Sequence, residues 1–121
     1  MNSLVIKNLF SFEGRANRKE YIIGNLLTLL LLTLIFFSHI IFIAIGSQYS
    51  AIGSLMLAMF SLISCLCLIQ ILSLNVRRLH DLGFSGWWAL IYLTGFGLLI
   101  KILLICFKGN DGSNKYGDPP T

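Results

Sequence analysis

The chain has 121 residues, of which 56% are hydrophobic and 12% charged, with a net charge of +4 and a mean hydropathy of +0.83. A water-soluble domain of this length buries too small a share of its surface to hide so much apolar side chain, so one membrane-embedded domain, 1–121, is expected. The basic residues flank apolar runs instead of forming a stripe, which argues against nucleic-acid binding, and no nucleotide loop, metal-ligand spacing or activated nucleophile points to an enzyme, a metal or a cofactor.

Residues 1–17 form a polar, basic lead with Lys7 and Arg15, in which Phe10 and Phe12 suit the headgroup region. Asn17 with Glu20 three residues later is a capping-box pattern at a helix start. The uncharged run 21–45 follows. As a helix it is roughly 37 Å long, enough to cross a core of about 30 Å with some tilt. A short turn without charge, 46–50, leads to a second uncharged run, 51–76. Its small residues Ser54, Ala58, Ser61 and Cys65 recur three or four apart. That stripe is expected to pack against the other spans, with a homo-oligomer contact as the alternative. Asn75–Gly86 is the longest polar interruption. Gly83 there suits the left-handed position after a helix end, and Ser85 can cap the next helix. The third run, 87–107, contains Gly95, Gly97 and Lys101. The tail, 108–121, is rich in Gly, Asn, Asp and Pro and is expected to be irregular. Cys65, Cys67 and Cys106 all lie in apolar runs and read as packing residues.

The expected fold is all-α, a polytopic membrane protein with three transmembrane helices. A break at Gly95-Phe96-Gly97 gives the alternative, two spans plus a re-entrant hairpin. The lead and the Arg77-Arg78 loop are basic while the first turn is neutral, so the positive-inside rule puts the N-terminus in the cytoplasm. Three spans then place the tail outside; the hairpin returns it to the cytoplasmic side.

Three polar clusters stand out: 12–21 (FEGRANRKEY), 77–88 (RRLHDLGFSGWW), and Lys108-Gly109 followed by 114–119 (NKYGDP). Together they resemble the YhaH/YhaI-type bacterial inner-membrane proteins, the domain-of-unknown-function 805 family, over nearly the whole chain. The resemblance implies a multi-pass protein of the bacterial inner (cell) membrane and no particular activity. Thr94 stands near where the family often has a Pro before the Gly of the third span, so no proline imposes a break at that point.

If the second helix continues past Val76, Arg77 and Asp81 are four apart and can pair. Antiparallel neighbours joined by a short turn also bring the lead and the end of the second helix to one face. Arg15 or Arg18 can then reach Asp81, and Glu20 can reach Arg77 or Arg78, each pair worth about 1 kcal/mol in a wet interface. Arg15, Arg18, Arg77, Arg78, His80 and Asp81 would form a polar collar able to hold an anionic headgroup in forked arginine contacts. Trp87 and Trp88 are interface anchors. Asn25, Gln70 and Asn75 suit hydrogen bonds between helices. His39 and Lys101 lie within roughly 9 Å of their helix ends, so Lys101 can snorkel. The functional expectation is a non-enzymatic inner-membrane protein acting through lipid or protein contacts at a basic cytoplasmic rim. The alternative is a small transporter or channel subunit.

Overall fold

The computed structural model describes residues 10–46 and 50–120, apart from the side chain of Leu93. Lys7 and the middle of the first turn, 47–49, lie outside the described residues. Helix α1 spans Arg18–Ala44 and α2 spans Ala51–Asp81. Asn17 caps α1 by accepting from the Glu20 N–H at 2.8 Å, and Ser50 caps α2 by accepting from the Gly53 N–H at 2.9 Å. At ~1.5 Å per residue the two helices are about 40 and 46 Å long, and both are apolar enough to cross a membrane. Most of their large apolar side chains, among them Leu26, Leu30, Phe37, Leu55 and Leu68, face outward. A core helix of a soluble domain would bury such residues; here lipid is the natural cover.

α1 and α2 pack along a narrow polar seam. Tyr21, Asn25, Thr28 and Ile35 recur at helical spacing and form the buried face of α1. Gly24 lets α2 come close, since a Cβ there would lie 2.7 Å from Leu74 Cδ1. Across the seam Thr28 Oγ1 donates to the Gln70 side-chain oxygen, and the Tyr21 hydroxyl donates to Asn75 Oδ1 at 2.8 Å. Asn25 departs from its expected role, because its amide donates to Tyr21 O within its own helix at 2.8 Å. The small-residue stripe departs too. Ser54, Ala58, Ser61 and Cys65 are not buried in the seam, because the face of α2 that meets α1 carries Cys67, Gln70 and Leu74 instead. Of the three cysteines only Cys67 is packed inside; Cys65 and Cys106 are exposed.

The third apolar run is not one helix. It is a 3-10 helix, Gly86–Leu93, followed by α3, Gly97–Cys106. Ser85 Oγ caps the first, and Thr94-Gly95-Phe96 turns the chain back into the second. At ~1.5 Å per residue α3 is only about 15 Å long, half the thickness of a hydrocarbon core. The turn lies beside Ile71 of α2, while Leu104 and Phe107 return to Arg78 near the end of α2. Both ends of the run therefore lie at the end of the molecule that holds the lead. Beyond α3 the described part of the tail forms no helix or strand, but it folds back on itself. Asn114 and Gly117 exchange both backbone hydrogen bonds, at 3.1 and 2.9 Å, closing a tight turn.

Candidate functional site

The polar residues of the lead, the last turn of α2 and the tail converge at one end of the bundle. α2 continues through Arg77–Asp81, and its end is closed by Gly83 at a φ of 83°, a left-handed conformation that a side chain disfavours. This sends the chain sharply aside and leaves the last helical turn free to be covered. The lead covers one side. Ala16 N–H donates to Arg77 O at 3.1 Å, and Ser73 Oγ donates to Ser11 O. The segment 107–118, called the strap below, covers the other. Asn110 N–H donates to Asp81 O at 3.0 Å, and Asn114 Nδ2 to His80 O at 2.9 Å.

Asp81 sits at the centre, its side chain 4% exposed. Arg15 Nε donates to its Oδ1 at 2.9 Å, and Arg78 Nη1 donates to its Oδ2. One carboxylate between two guanidinium groups leaves a net positive charge, and main-chain carbonyls complete the cage. Arg15 Nη1 donates to Gly112 O at 2.7 Å and Gly117 O at 3.3 Å, and its Nη2 to Asn110 O. Arg78 Nε donates to Leu104 O at 2.9 Å, Nη1 to Ala16 O at 3.2 Å, and Nη2 to Phe107 O at 2.5 Å. Buried guanidinium groups are tolerated because their fixed forks of donors find acceptors in nearly every direction. Gly109 is needed for this packing, since a Cβ there would lie 1.9 Å from Asp81 Oδ2.

Arg77 points away from Asp81 and donates to Glu20 Oε1 at 2.5 Å. The expected Arg77–Asp81 pair is thus replaced by Arg78–Asp81 within α2 and Arg15–Asp81 across it. Glu20 thus serves two contacts, its main-chain N–H donating to the Asn17 cap and its carboxylate pairing with Arg77. His80 stacks on Tyr116, with ring centroids 3.7 Å apart and planes 7° from parallel. Its Nδ1 lies 3.2 Å from Gly14 O, and Lys115 Nζ is 4.9 Å from the Tyr116 ring centre. His80 lies past the uncharged stretch 51–76. Burial holds its imidazole below the usual range, Lys115 pushes the same way, and the Gly14 carbonyl opposes both.

A model of the family described as "Protein of unknown function (DUF805)" matches residues 9–118. The chain belongs to the DUF805 family. Among its relatives, "Inner membrane protein YhaI" of Escherichia coli (strain K12) is 36% identical over 118 residues, covering 96% of this chain and 91% of the relative. "Inner membrane protein YhaH" of the same strain is 32% identical over 120 residues, covering 96% and 92%. No solved structure matches.

In this DUF805 chain the collar residues separate into two groups. Arg15, Arg77, Arg78, His80 and Asp81 are brought together and buried; Arg18 remains exposed at the edge. Trp87 and Trp88 are exposed, as are Phe10, Phe12 and Phe84. The buried arginines do not present an open cradle, because the strap supplies acceptors to Arg15 and Arg78 that a phosphate would otherwise provide, and Glu20 pairs with Arg77. Asn110, Gly112, Asn114, Tyr116 and Gly117 were not foreseen as parts of the site. Their signal was present, since most of them fall in or beside the third polar cluster, but balanced charges and turn residues also describe a loose tail.

Proposed function

We propose that this DUF805 protein is a non-enzymatic inner-membrane protein that crosses the bilayer with α1 and α2 and acts through lipid contacts at its cytoplasmic face. In this reading the third run is a re-entrant hairpin, so the lead and the strap lie on one side. The basic lead and the Arg77-Arg78 pair make that side cytoplasmic by the positive-inside rule. One observation carries the lipid reading. The buried arginines are occupied by the chain itself, while Arg18, Lys19 and Lys115 are exposed at the same end, beside the exposed aromatics Phe84, Trp87 and Trp88. Exposed cations with an aromatic belt suit anionic headgroups.

Native mass spectrometry in mild detergent tests this, reading retained lipid and subunit number together. Phosphatidylglycerol should be retained over phosphatidylcholine. Neutralising Arg18 and Lys19 to Gln should weaken that retention about fivefold per residue, at ~1 kcal/mol per basic side chain. Equal retention of both lipids, unaffected by the substitutions, would shift the reading to a protein partner. A transporter or channel subunit has less support. His39 bonds Ile35 O and packs on Phe60, whereas Lys101 lies beside Ile71, about 16 Å further along α2 at ~1.5 Å per residue, so the two do not share a path.

A further inference from the structure

We propose that the strap is a topological clasp: Arg78 and Arg15 hold the third apolar run folded as a hairpin, and opening the clasp lets that run cross the membrane and carry the strap to the other face. This rests on the two-span reading above and adds a device to it. The run 87–107 has 21 residues, contains no proline and carries a single charge, Lys101. As one helix it would be about 31 Å long, enough to span the core. Its hairpin form replaces the central helical hydrogen bonds with a turn at Thr94–Phe96, stabilised locally by Thr94 Oγ1 donating to Ile91 O at 2.7 Å. Nothing covalent or proline-imposed enforces that turn. The strap's own charge is a weak anchor to one side, since it carries two lysines, Lys108 and Lys115, against the larger basic set of the lead and the Arg77-Arg78 pair.

What holds the hairpin is at its base. Arg78 grips the carbonyls at the end of α3, Leu104 and Phe107, which a helix C-terminus leaves without intrahelical partners. Arg15 grips Asn110, and Asp81 fixes both guanidinium groups. Gly109 is the point of closest approach, against a carboxylate that cannot swing aside because two arginines pin it. A small change at this clasp therefore decides between two arrangements of the same apolar run, each compatible with the bilayer.

The test is cysteine labelling with a membrane-impermeant maleimide, on full-length chains whose native cysteines are replaced, inserted into cell membranes. Ser113→Cys reports the strap, Lys19→Cys the lead, and Ala51→Cys the opposite face. In the parent chain Ser113→Cys, like Lys19→Cys, should react only after the membrane is opened, and Ala51→Cys should react in intact cells. Gly109→Val opens the clasp without altering any charge, and Arg78→Gln removes the grip. Each should raise the fraction of Ser113→Cys labelled in intact cells about tenfold, a shift of ~1.4 kcal/mol in the equilibrium. Arg18→Gln removes the same charge from an exposed position and should leave Ser113→Cys protected. That control separates the clasp from general loss of positive charge. If Ser113→Cys in the parent chain reacts from the Ala51 side, the two-span reading itself fails. If it is protected in the parent and stays protected in both variants, the reading stands and the clasp is wrong. Loss of both variants from the membrane also overturns the clasp, since a released run is long enough to be held as a span.

Discussion

Asp81→Asn removes the negative charge on which Arg15 and Arg78 converge while keeping its shape and one acceptor oxygen. The side chains of Arg15 and Arg78 are each 1% exposed and that of Asp81 4%. These are buried pairs, for which loss of one partner costs about 3–5 kcal/mol, and not the ~1 kcal/mol expected of pairs at a wet interface. Because Asn still accepts one hydrogen bond, the cost should fall at the lower end, about 3 kcal/mol, or roughly a hundredfold in the folding equilibrium. Trp87 and Trp88 lie close to the site in sequence and report its opening. Detergent-solubilised protein titrated with denaturant and followed by tryptophan fluorescence measures the loss. Asp111→Asn supplies the contrast, since the Lys108–Asp111 pair is exposed and its loss should stay within about 0.5 kcal/mol. In a charge swap, Asp81→Arg should abolish accumulation of the protein. Adding Arg15→Asp should restore it only in part, because a carboxylate in place of that guanidinium cannot donate to the carbonyls of Asn110 and Gly112. Equal small losses for Asp81→Asn and Asp111→Asn would refute the assignment of Asp81 to a buried, structural role.

Tyr21→Phe deletes the hydroxyl that donates to Asn75 and lies 3.3 Å from the Tyr92 hydroxyl. It leaves Asn75, itself 2% exposed, with an unmet oxygen, so the same titration should show a loss of about 1–3 kcal/mol, partly recovered by adding Asn75→Leu. Because the folded protein holds His80 below its unfolded value, the neutral form is the one that stabilises. That contribution is complete above about pH 6.5 and is lost as pH falls through the lower folded value. Denaturation midpoints should therefore decline on acidification below that point, and His80→Gln should flatten this part of the profile.

Much of the framework was legible because local rules and the bilayer agree. Asn17, Gly83 and Ser85 mark helix ends by chemistry that needs no partner beyond the next few residues. The uncharged runs 21–45 and 51–76 are long enough that tertiary context has little to override. The third run was legible only as two alternatives. Length and hydropathy allow it to be a span and Gly95-Phe96-Gly97 allows a break, while the contacts from Arg78 to carbonyls 26 and 29 residues later that accompany the broken form leave no mark in the sequence. Carbonyl acceptors are carried by every residue, so sequence cannot single out Leu104 or Phe107. The same applies to the strap: Gly112 and Gly117 act through main-chain oxygens, and their side chains advertise nothing. Asp81 was legible as a polar residue near a basic cluster, but not as a buried one, because its burial depends on both the lead and the strap.

The cage around Arg15 joins parts of the chain that are made far apart in time. Its partner Asp81 comes 66 residues later, and the carbonyls of Asn110, Gly112 and Gly117 come 95, 97 and 102 residues later. While the first two helices emerge from the ribosome, Arg15 and Arg78 have no strap carbonyls to receive their donors and remain hydrated. That is the stage at which positive charge biases the orientation of a nascent helix pair. The same guanidinium groups then leave water once the remaining residues arrive and supply the carbonyls that surround them.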